Sequence, residues 1–343
     1  MTKRPISFPG RQRGTVLITV ILIAAFVIVL VIESTKTVRY QKQLSSNLIN
    51  RDQAYAYLMG MEELAKIWLK KAFENSKEER VHLNQPWAQD NITFPIDGGL
   101  MTASIKDMQS CFNLNTVRFV DPDPNKQNEI TATGVTAESV GQGILEEIIS
   151  QINENSDVQG GDLAASLRDW VDPDIEQVDH RGAEDDYYQS MDVPYRTPNS
   201  TIAHSSELLT VKGFNQKLVQ SLLPYVCVIP KEDETKLNIN TISGESALVM
   251  HAALGSKTIT LAEVNEALSN RPDDGFESVE KFIQEFGDKG DSITNKTVFD
   301  VKSHFFQVTA QAEIGKTRVA MKTLFQKDDS NNFKVVSRYY GKE

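Results

Sequence analysis

The sequence predicts an α+β fold, in which a long N-terminal helix leads into an antiparallel sheet and a large all-helical domain is inserted into that sheet. An uncharged apolar run near the N-terminus is followed by apolar residues at helical spacing. Segments near residue 100 and after residue 304 alternate between apolar and polar residues, as strands do. The stretch between them has helical patterns, which indicates an insertion into one sheet.

The apolar run extends from Thr15 to Ile32 and contains eighteen residues without a charge. As a helix it would be about 27 Å long, which is close to the thickness of the hydrocarbon core of a bilayer. We therefore predict a single transmembrane segment over residues 15–32. The apolar run leads into STKTVRYQKQ with no small-residue cleavage site, so cleavage after the run is not expected.

Basic residues lie on both sides of the apolar run. Those before it favour a cytoplasmic N-terminus and a body on the far side of the membrane. They are Lys3, Arg4, Arg11 and Arg13. Lys36, Arg39 and Lys42 follow the run and weaken this charge asymmetry.

The pattern after the apolar run predicts that the same helix continues over residues 33–75. From Glu33 to Phe73 the chain has no proline, and its only glycine is Gly60. Apolar residues recur at spacings of three, four and seven. They are Leu44, Leu48, Tyr55, Leu58, Met61, Ala65 and Trp68. A helix from Thr15 to Phe73 would be about 88 Å long. The alternative is a signal anchor followed by a separate core helix.

The rest of the chain divides into four segments by pattern. Residues 76–116 begin with a polar stretch that predicts a loop, and continue into the strand-like LMTASIKD. Residues 117–236 and 237–298 have helical patterns. Residues 299–343 alternate with period two and predict antiparallel strands. FNLNT in the first segment and LNINT at the start of the third form a weak internal echo.

The composition excludes some functions. At 343 residues the chain can form one large or two smaller domains. The formal net charge of −11 argues against binding a nucleic-acid backbone, which requires many Lys and Arg contacts. Without Lys3, Arg4, Arg11 and Arg13, the net charge of the chain would be −15. The five histidines are scattered and GKT at 315–317 lacks the earlier glycine of a phosphate loop, so we predict no catalytic residue.

Two cysteines, Cys111 and Cys227, occur without a CxxC motif or zinc-ligand spacing. They are either two buried thiols or one disulfide. A disulfide is favoured if the body lies outside the cytoplasm.

The acidic loop at residues 169–189 is the candidate metal site. Its carboxylates repel one another unless they are solvated or neutralised, and oxygen donors on an irregular loop suit Ca²⁺. The candidate ligands are Asp172, Asp174, Glu176, Glu184, Asp185 and Asp186. The loop does not have the glycine and glutamate positions of an EF-hand, and a merely solvated acidic loop is the alternative. A second candidate comprises Asp288, Asp291 and Asp300.

The N-terminus resembles the leader of type IV prepilins and pseudopilins. In that family a prepilin peptidase cuts after a glycine that precedes the apolar helix, and here that glycine is Gly14. The resemblance implies that residues 1–14 are removed, with Thr15 as the new, methylated N-terminus. Most members have Glu at the fifth mature position, where this chain has Thr19. Because that carboxylate is thought to pair with the preceding subunit, a chain without it is suited to begin a filament.

The order of later motifs resembles the K family of type II secretion minor pseudopilins. The matching motifs are CFNLN, LRDWVDPD, RGAEDDYY, ELLTVKGF, LPYV, KLNINT and FDVKSHFFQVTA. The resemblance implies a pseudopilin-type sheet, a helical domain that binds Ca²⁺, and a periplasmic body anchored in the inner membrane. It also implies assembly with minor pseudopilins I and J, then H, and with the major pseudopilin. The expected function is to initiate or cap the pseudopilus that exports folded proteins.

The alternative function is a membrane-anchored DNA receptor of the competence type. ELLTVKGFNQKLVQSLL and the segment from LNINT to SVEKF resemble helix-hairpin-helix units. Their hairpins, KGF and LGSKT, lack the paired glycines whose amides approach phosphate. The acidic body also disfavours DNA, so packing of small helices is the better explanation and no nucleic acid is expected as a partner.

Overall fold

The computed structural model describes residues 13–74, 79–89, 91–118, 140–153, 159–232 and 236–341. Most of the predicted leader therefore lies outside the described residues. The helices are α1 (Arg13–Glu74), α2 (Val140–Ile152), α3 (Gly160–Val171), α4 (Asp185–Gln189), α5 (Gln216–Leu222), α6 (Ala247–Leu254), α7 (Leu261–Ser269) and α8 (Val279–Gln284). The strands are β1 (Ile92–Ile96), β2 (Gly99–Asp107), β3 (Phe112–Asn113), β4 (Val226–Cys227), β5 (Leu237–Asn238), β6 (Phe299–Asp300), β7 (Phe305–Ile314), β8 (Thr317–Lys327) and β9 (Phe333–Tyr340).

Helix α1 is continuous over 62 residues and is about 93 Å long at 1.5 Å per residue. The structure therefore has one long helix and not an anchor followed by a separate core helix. Among the described residues, one helix is long and apolar enough to cross a membrane, with a mean hydropathy of 3.3 in its most apolar window. The helix is exposed from Thr15 to Ile49, and from Ala54 onward one of its faces is buried against the sheet.

Five strands form one antiparallel sheet in the order β1-β2-β7-β8-β9, which confirms the predicted fold class. Strands β2 and β7 are neighbours in this sheet although about 200 residues separate them, with Asp107 opposite Phe306. The helical region is therefore inserted between adjacent strands. About three-quarters of the way along α1, Leu58 and Met61 pack against the hairpin ends of β2 and β7. Near the end of α1, Phe73 packs against Phe306, with ring centres 5.3 Å apart.

A buried ion pair fixes α1 to the far edge of the sheet. The Glu62 side chain is 3% exposed and accepts two hydrogen bonds from the Arg338 guanidinium, at 2.6 and 2.7 Å. The Thr323 hydroxyl donates a third bond, at 2.8 Å. Because a buried carboxylate is costly without such partners, this group defines the rotation of α1 on the sheet.

Three features differ from the sequence prediction. The polar stretch predicted as a loop contains β1, whose Pro95 lacks an N–H and is tolerated because β1 is an edge strand. The first segment was expected to belong to the sheet as far as residue 116, but the sheet ends at Asp107. Phe112 and Leu114 pack instead in the core of the helical region. Likewise Phe299 belongs to that core, and the sheet resumes only at Phe305.

The internal echo in the sequence corresponds to a repeated structure. In FNLNT the Asn113 side chain accepts from the Asn115 amide, and in LNINT the Asn238 side chain accepts from the Asn240 amide. Each segment forms a two-residue parallel bridge with a distant segment, β3 with β4 and β5 with β6. We call residues 112–227 and 237–300 the first and second helical modules.

Polar contacts and a disulfide hold the base of the insertion. Asp107 at the end of β2 accepts hydrogen bonds from Ser303, at 2.5 Å, and from Thr241, at 2.6 Å. Cys111 and Cys227 form a disulfide in the structure, with Cα atoms 5.8 Å apart. The chain leaving the sheet is thus joined to the returning chain by the Asp107–Ser303 hydrogen bond, and to the end of the first helical module by the disulfide.

Candidate metal site

The candidate site lies in the first helical module, where α3 ends and α4 begins. Asp172 follows the last residue of α3, and Glu184 immediately precedes α4. With Asp174 they form a group in which each residue offers one carboxylate oxygen within 4.8 Å of the others. Two helix ends therefore bring together carboxylates that are twelve residues apart in the sequence.

Several carboxylate oxygens of Asp172, Glu184 and the neighbouring Asp169 are buried without a hydrogen-bond partner among the described residues. They are Asp172 Oδ1, Glu184 Oε1, Glu184 Oε2 and Asp169 Oδ2. Asp172 and Glu184 are only 5% and 8% exposed. Leaving ionised oxygens buried without a donor costs several kcal/mol, roughly, and the usual compensation is protonation or a cation.

Burial and mutual repulsion raise the pKa values of the group. Burial, followed by the charges of Asp174 and Asp169, raises the pKa of Asp172 to about 7. Burial and the charges of the other three carboxylates raise the pKa of Glu184 to about 8. Burial raises the pKa of Asp169 to about 6, although the hydrogen bond from the Val178 amide opposes this shift. Such shifts favour the neutral acids unless a cation is bound.

Asp169 is a site residue that was not among the predicted ligands. It is fully buried, and its Oδ1 accepts a hydrogen bond from the Val178 amide at 3.0 Å. Gly182 packs against its other oxygen so closely that a Cβ at residue 182 would lie 1.9 Å from Asp169 Oδ2. Only glycine fits here. The spacing of Asp169 and Asp172 at i and i+3 near the end of a helix is the sequence signal that could have identified it.

A lysine and three aromatic rings support the loop around the site. Lys212 Nζ donates to the Gly182 carbonyl at 2.8 Å, and its backbone amide donates to the Tyr188 hydroxyl at 3.1 Å. The Tyr188 ring packs edge-on against the Trp170 ring, with ring centres 5.2 Å apart, and its centre lies 5.1 Å from that of the Tyr195 ring. These contacts hold the loop after Gly182 against α3 and so position Glu184.

The other three predicted ligands of the first site lie outside this group. Glu176 and Asp186 are exposed. Asp185 accepts hydrogen bonds from the amide and hydroxyl of Thr197, both at 3.0 Å, and lies 3.7 Å from Arg196. Its carboxylate therefore fastens the following loop. Because Asp185 and Asp186 occupy the first turn of α4, their directions differ from that of Glu184.

The second predicted site is not assembled. Asp288 and Asp291 are exposed, and Asp300 accepts hydrogen bonds from the Val301 and Lys302 amides. No group of three or more metal-ligating side chains other than Asp172, Asp174 and Glu184 occurs within the described ranges.

Comparison with known proteins identifies the family. Two models described as type II secretion system (T2SS), protein K match residues 110–231 and 237–302, which nearly coincide with the two helical modules. Type II secretion system protein K of Klebsiella pneumoniae is 33% identical over 336 residues, covering 96% of this chain and 97% of that protein. The Aeromonas hydrophila protein of the same name is 30% identical over 332 residues, covering 96% and 98%.

A solved structure is similar over most of the chain. It is the crystal structure of the GspK-GspI-GspJ complex from the enterotoxigenic Escherichia coli type 2 secretion system. The matching chain superposes with a TM-score of 0.71 at 27% identity, covering 85% of this chain and 97% of that chain. By sequence and by fold, this chain belongs to the type II secretion system protein K family of pseudopilins.

Proposed function

We propose that this chain is the minor pseudopilin at the tip of a type II secretion pseudopilus, where it initiates or caps assembly for export of folded proteins. The observation that carries this proposal is the likeness to a chain crystallised with GspI and GspJ. The corresponding I and J subunits would be the first partners, packing along α1, followed by H and the major pseudopilin. The role is structural and requires no catalytic group.

The position of the insertion supports a tip location. The helical modules leave and rejoin the sheet at Asp107 and Phe305, next to Phe73 at the far end of α1. The opposite ends of β2 and β7 lie beside Leu58, nearer to the apolar part of the helix. The modules therefore lie beyond the end of α1 that is farthest from the membrane segment. A further subunit added beyond this one would collide with them.

The proposal includes removal of the leader by a prepilin peptidase, which leaves the body in the periplasm. Gly14→Ala should abolish this cleavage, because the peptidase is expected to require glycine there. Mass spectrometry of protein isolated from cells should show a chain that starts at Thr15 for the parent and at Met1 for the variant. Assembly with I and J should fail in the variant, as measured by co-purification.

Gly10→Ala is the matched control, since it changes a glycine of the leader that does not precede the apolar run. It should leave the N-terminus at Thr15. A parent chain that keeps residues 1–14 in a working secretion system would contradict the proposed maturation.

The same proposal includes a structural Ca²⁺ held by Asp172, Asp174 and Glu184, with Asp169 close by. The buried oxygens without donors fit this group, because Ca²⁺ accepts several carboxylate oxygens in flexible geometry. A bound cation would offset the burial and the mutual repulsion that raise the pKa values of Asp169, Asp172 and Glu184. It would also join the end of α3 to the start of α4.

Replacement of Glu184 tests this site. Glu184→Gln removes one charged ligand, and we expect the affinity for Ca²⁺ to fall at least about tenfold, which is about 1.4 kcal/mol. Asp186→Asn also removes one negative charge, but Asp186 is exposed and lies two residues after Glu184. The affinity of this variant for Ca²⁺ should therefore change less than about threefold. Calorimetry with Ca²⁺ on the full chain in detergent would measure both affinities.

Terbium provides a second measurement, because Trp170 lies in α3 between Asp169 and Asp172 and its ring contacts Tyr188, so this aromatic pair can sensitise terbium luminescence. The luminescence should be lost in Glu184→Gln and kept in Asp186→Asn. Equal affinities in the parent and both variants would reject this ligand set.

A further inference from the structure

A basic segment of α1 lies between the membrane segment and the sheet. From Ser34 to Arg51 the sequence has four basic residues and no carboxylate, although the chain as a whole carries 47 acidic and 36 basic residues. Three of the four follow closely after the apolar run. They are Lys36, Arg39 and Lys42, and we call them the basic collar.

The basic collar lies at the height of lipid headgroups. At 1.5 Å per residue, the Cα atoms of Lys36, Arg39 and Lys42 are about 6, 10 and 15 Å beyond Ile32 along the helix. Side chains on a helix lean toward its N-terminus, which here is the membrane side. Long basic side chains can also reach back to the interface. Their charges are therefore within about one Debye length of the membrane surface.

The collar side chains are available to a ligand. All three residues are exposed, and they lie on neighbouring positions of one helix face, spaced by three residues. Lys36 makes an ion pair with Glu33 at 2.9 Å, but both side chains are about two-thirds exposed, so the pair contributes little. Within the described ranges, no hydrogen bond or ion pair involves Arg39 or Lys42.

Positive charges at this end of the transmembrane segment oppose the usual asymmetry, in which basic residues remain in the cytoplasm. They also differ in sign from the acidic body that follows. Attraction to anionic headgroups would offset the cost of placing positive charges at this end of the transmembrane segment. We propose that the basic collar binds the phosphate groups of anionic phospholipids in the leaflet that faces the folded body. The inference rests on the proposed membrane crossing, but not on removal of the leader.

A lipid surface fits the collar better than a protein partner does. The charges cluster within about 15 Å of the end of the apolar run. The remaining basic residue of the segment, Arg51, is about 28 Å away and already lies over the Tyr55 ring, at 5.5 Å. Tyr40, which is 69% exposed, lies among the collar residues, as aromatic residues do at membrane interfaces.

Spin-labelled lipids provide the test. The full chain is reconstituted in phosphatidylcholine bilayers, and electron spin resonance measures the association of labelled phosphatidylglycerol relative to labelled phosphatidylcholine. We expect phosphatidylglycerol to be preferred at low salt. The preference should fall at least about fivefold in the triple variant Lys36→Gln, Arg39→Gln, Lys42→Gln, as expected for loss of basic residues at an anionic surface. It should also fall in 1 M salt, where the Debye length is about 3 Å.

Arg51→Gln is the matched control, because it removes one positive charge beyond the reach of the headgroups. The preference of this variant for phosphatidylglycerol should stay within about twofold of the parent value, since salt screens the Arg51 charge over its distance from the membrane surface. The leader charges are the same in every variant and do not affect the comparison. Equal lipid preference in the parent and the triple variant would overturn the proposal.

A protein partner would give a different result. The triple variant would then keep its lipid preference but no longer co-purify with the I and J subunits. In that case the basic collar would bind an acidic helix of a neighbouring subunit, and the lipid proposal would be wrong. A chain that retains Met1 would reject leader removal and leave this measurement unaffected, so the two proposals fail separately.

Discussion

Chelation of divalent cations at pH 8 is expected to lower the free energy of unfolding by about 3 kcal/mol, the stabilisation from a ligand present at roughly 100 times its dissociation constant. Without a cation, Asp172 and Glu184 would have to bury unpartnered charge to ionise. Urea unfolding of the full chain in detergent, followed by fluorescence with and without chelator, would measure this difference.

The effect of chelation should depend on pH. In the unfolded chain these acids ionise near their ordinary pKa values of 3.8 and 4.5, whereas in the cation-free fold the pKa is about 7 for Asp172 and about 8 for Glu184. Between these values the folded form binds more protons than the unfolded form, so stability falls as pH rises from about 4 to about 8. Chelation should therefore matter little near pH 5 and most near pH 8.

Two results would contradict this expectation. One is a chelated protein that is as stable at pH 8 as at pH 5, since the buried carboxylates would then carry no penalty. The other is an equal effect of chelation in Glu184→Gln and in the parent. Asp186→Asn, which leaves the buried group intact, should behave as the parent does.

Replacement of Asn115 by alanine is expected to destabilise the first helical module by about 3–5 kcal/mol. The Asn115 side chain is fully buried, accepts from the Ile202 amide at 2.8 Å, and donates to the Ile202 and Ile229 carbonyls, both at 3.0 Å. Three buried backbone groups would lose their partner, and each costs about 1–3 kcal/mol, reduced where water can enter. Urea unfolding would measure the loss.

The second module offers a graded comparison. Asn240 is equally buried but bonds only the amide and carbonyl of Phe276, at 2.7 and 3.1 Å, so Asn240→Ala should cost less than Asn115→Ala. Asn270 is exposed and bonds Glu285, so Asn270→Ala should change stability by less than about 0.5 kcal/mol. Equal effects at all three positions would show that the side-chain bonds to the loops do not hold the modules.

The long elements of the fold could be predicted from the sequence because each carries a sustained period. Helix α1 combines an uninterrupted apolar run with a stripe of consistent spacing from Leu44 to Trp68, which is about seven turns, and β7 and β8 are each about ten residues long. The five-residue β1 contains a proline and has too little pattern to be distinguished from a loop. The two-residue bridges β3 to β6 have no period, so FNLNT and LNINT suggested a repeat without revealing its pairing.

The candidate site was predictable as a region but not residue by residue. The clustered carboxylates indicated the loop, because so many like charges repel one another unless solvent or a cation neutralises them. Which of them face one another depends on how α3 and α4 meet, and that contact depends on Tyr188 in α4 and on Lys212, which lies more than twenty residues later. Asp169 was missed because a carboxylate inside an amphipathic helix usually faces solvent, whereas here the approach of Gly182 buries it.

The attachment of the helical modules through two adjacent strands has a mechanical consequence. Helical modules joined to the sheet by one linker could move relative to it. Here β2 and β7 both hold the modules, and the hydrogen bond from Ser303 to Asp107 joins the two connections. Hydrogen bonds in an antiparallel pair run across the strands. A force directed along α1 would therefore load the β2–β7 pair in shear, so that many hydrogen bonds would resist it at once. The helical modules would then move together with α1 as one rigid unit.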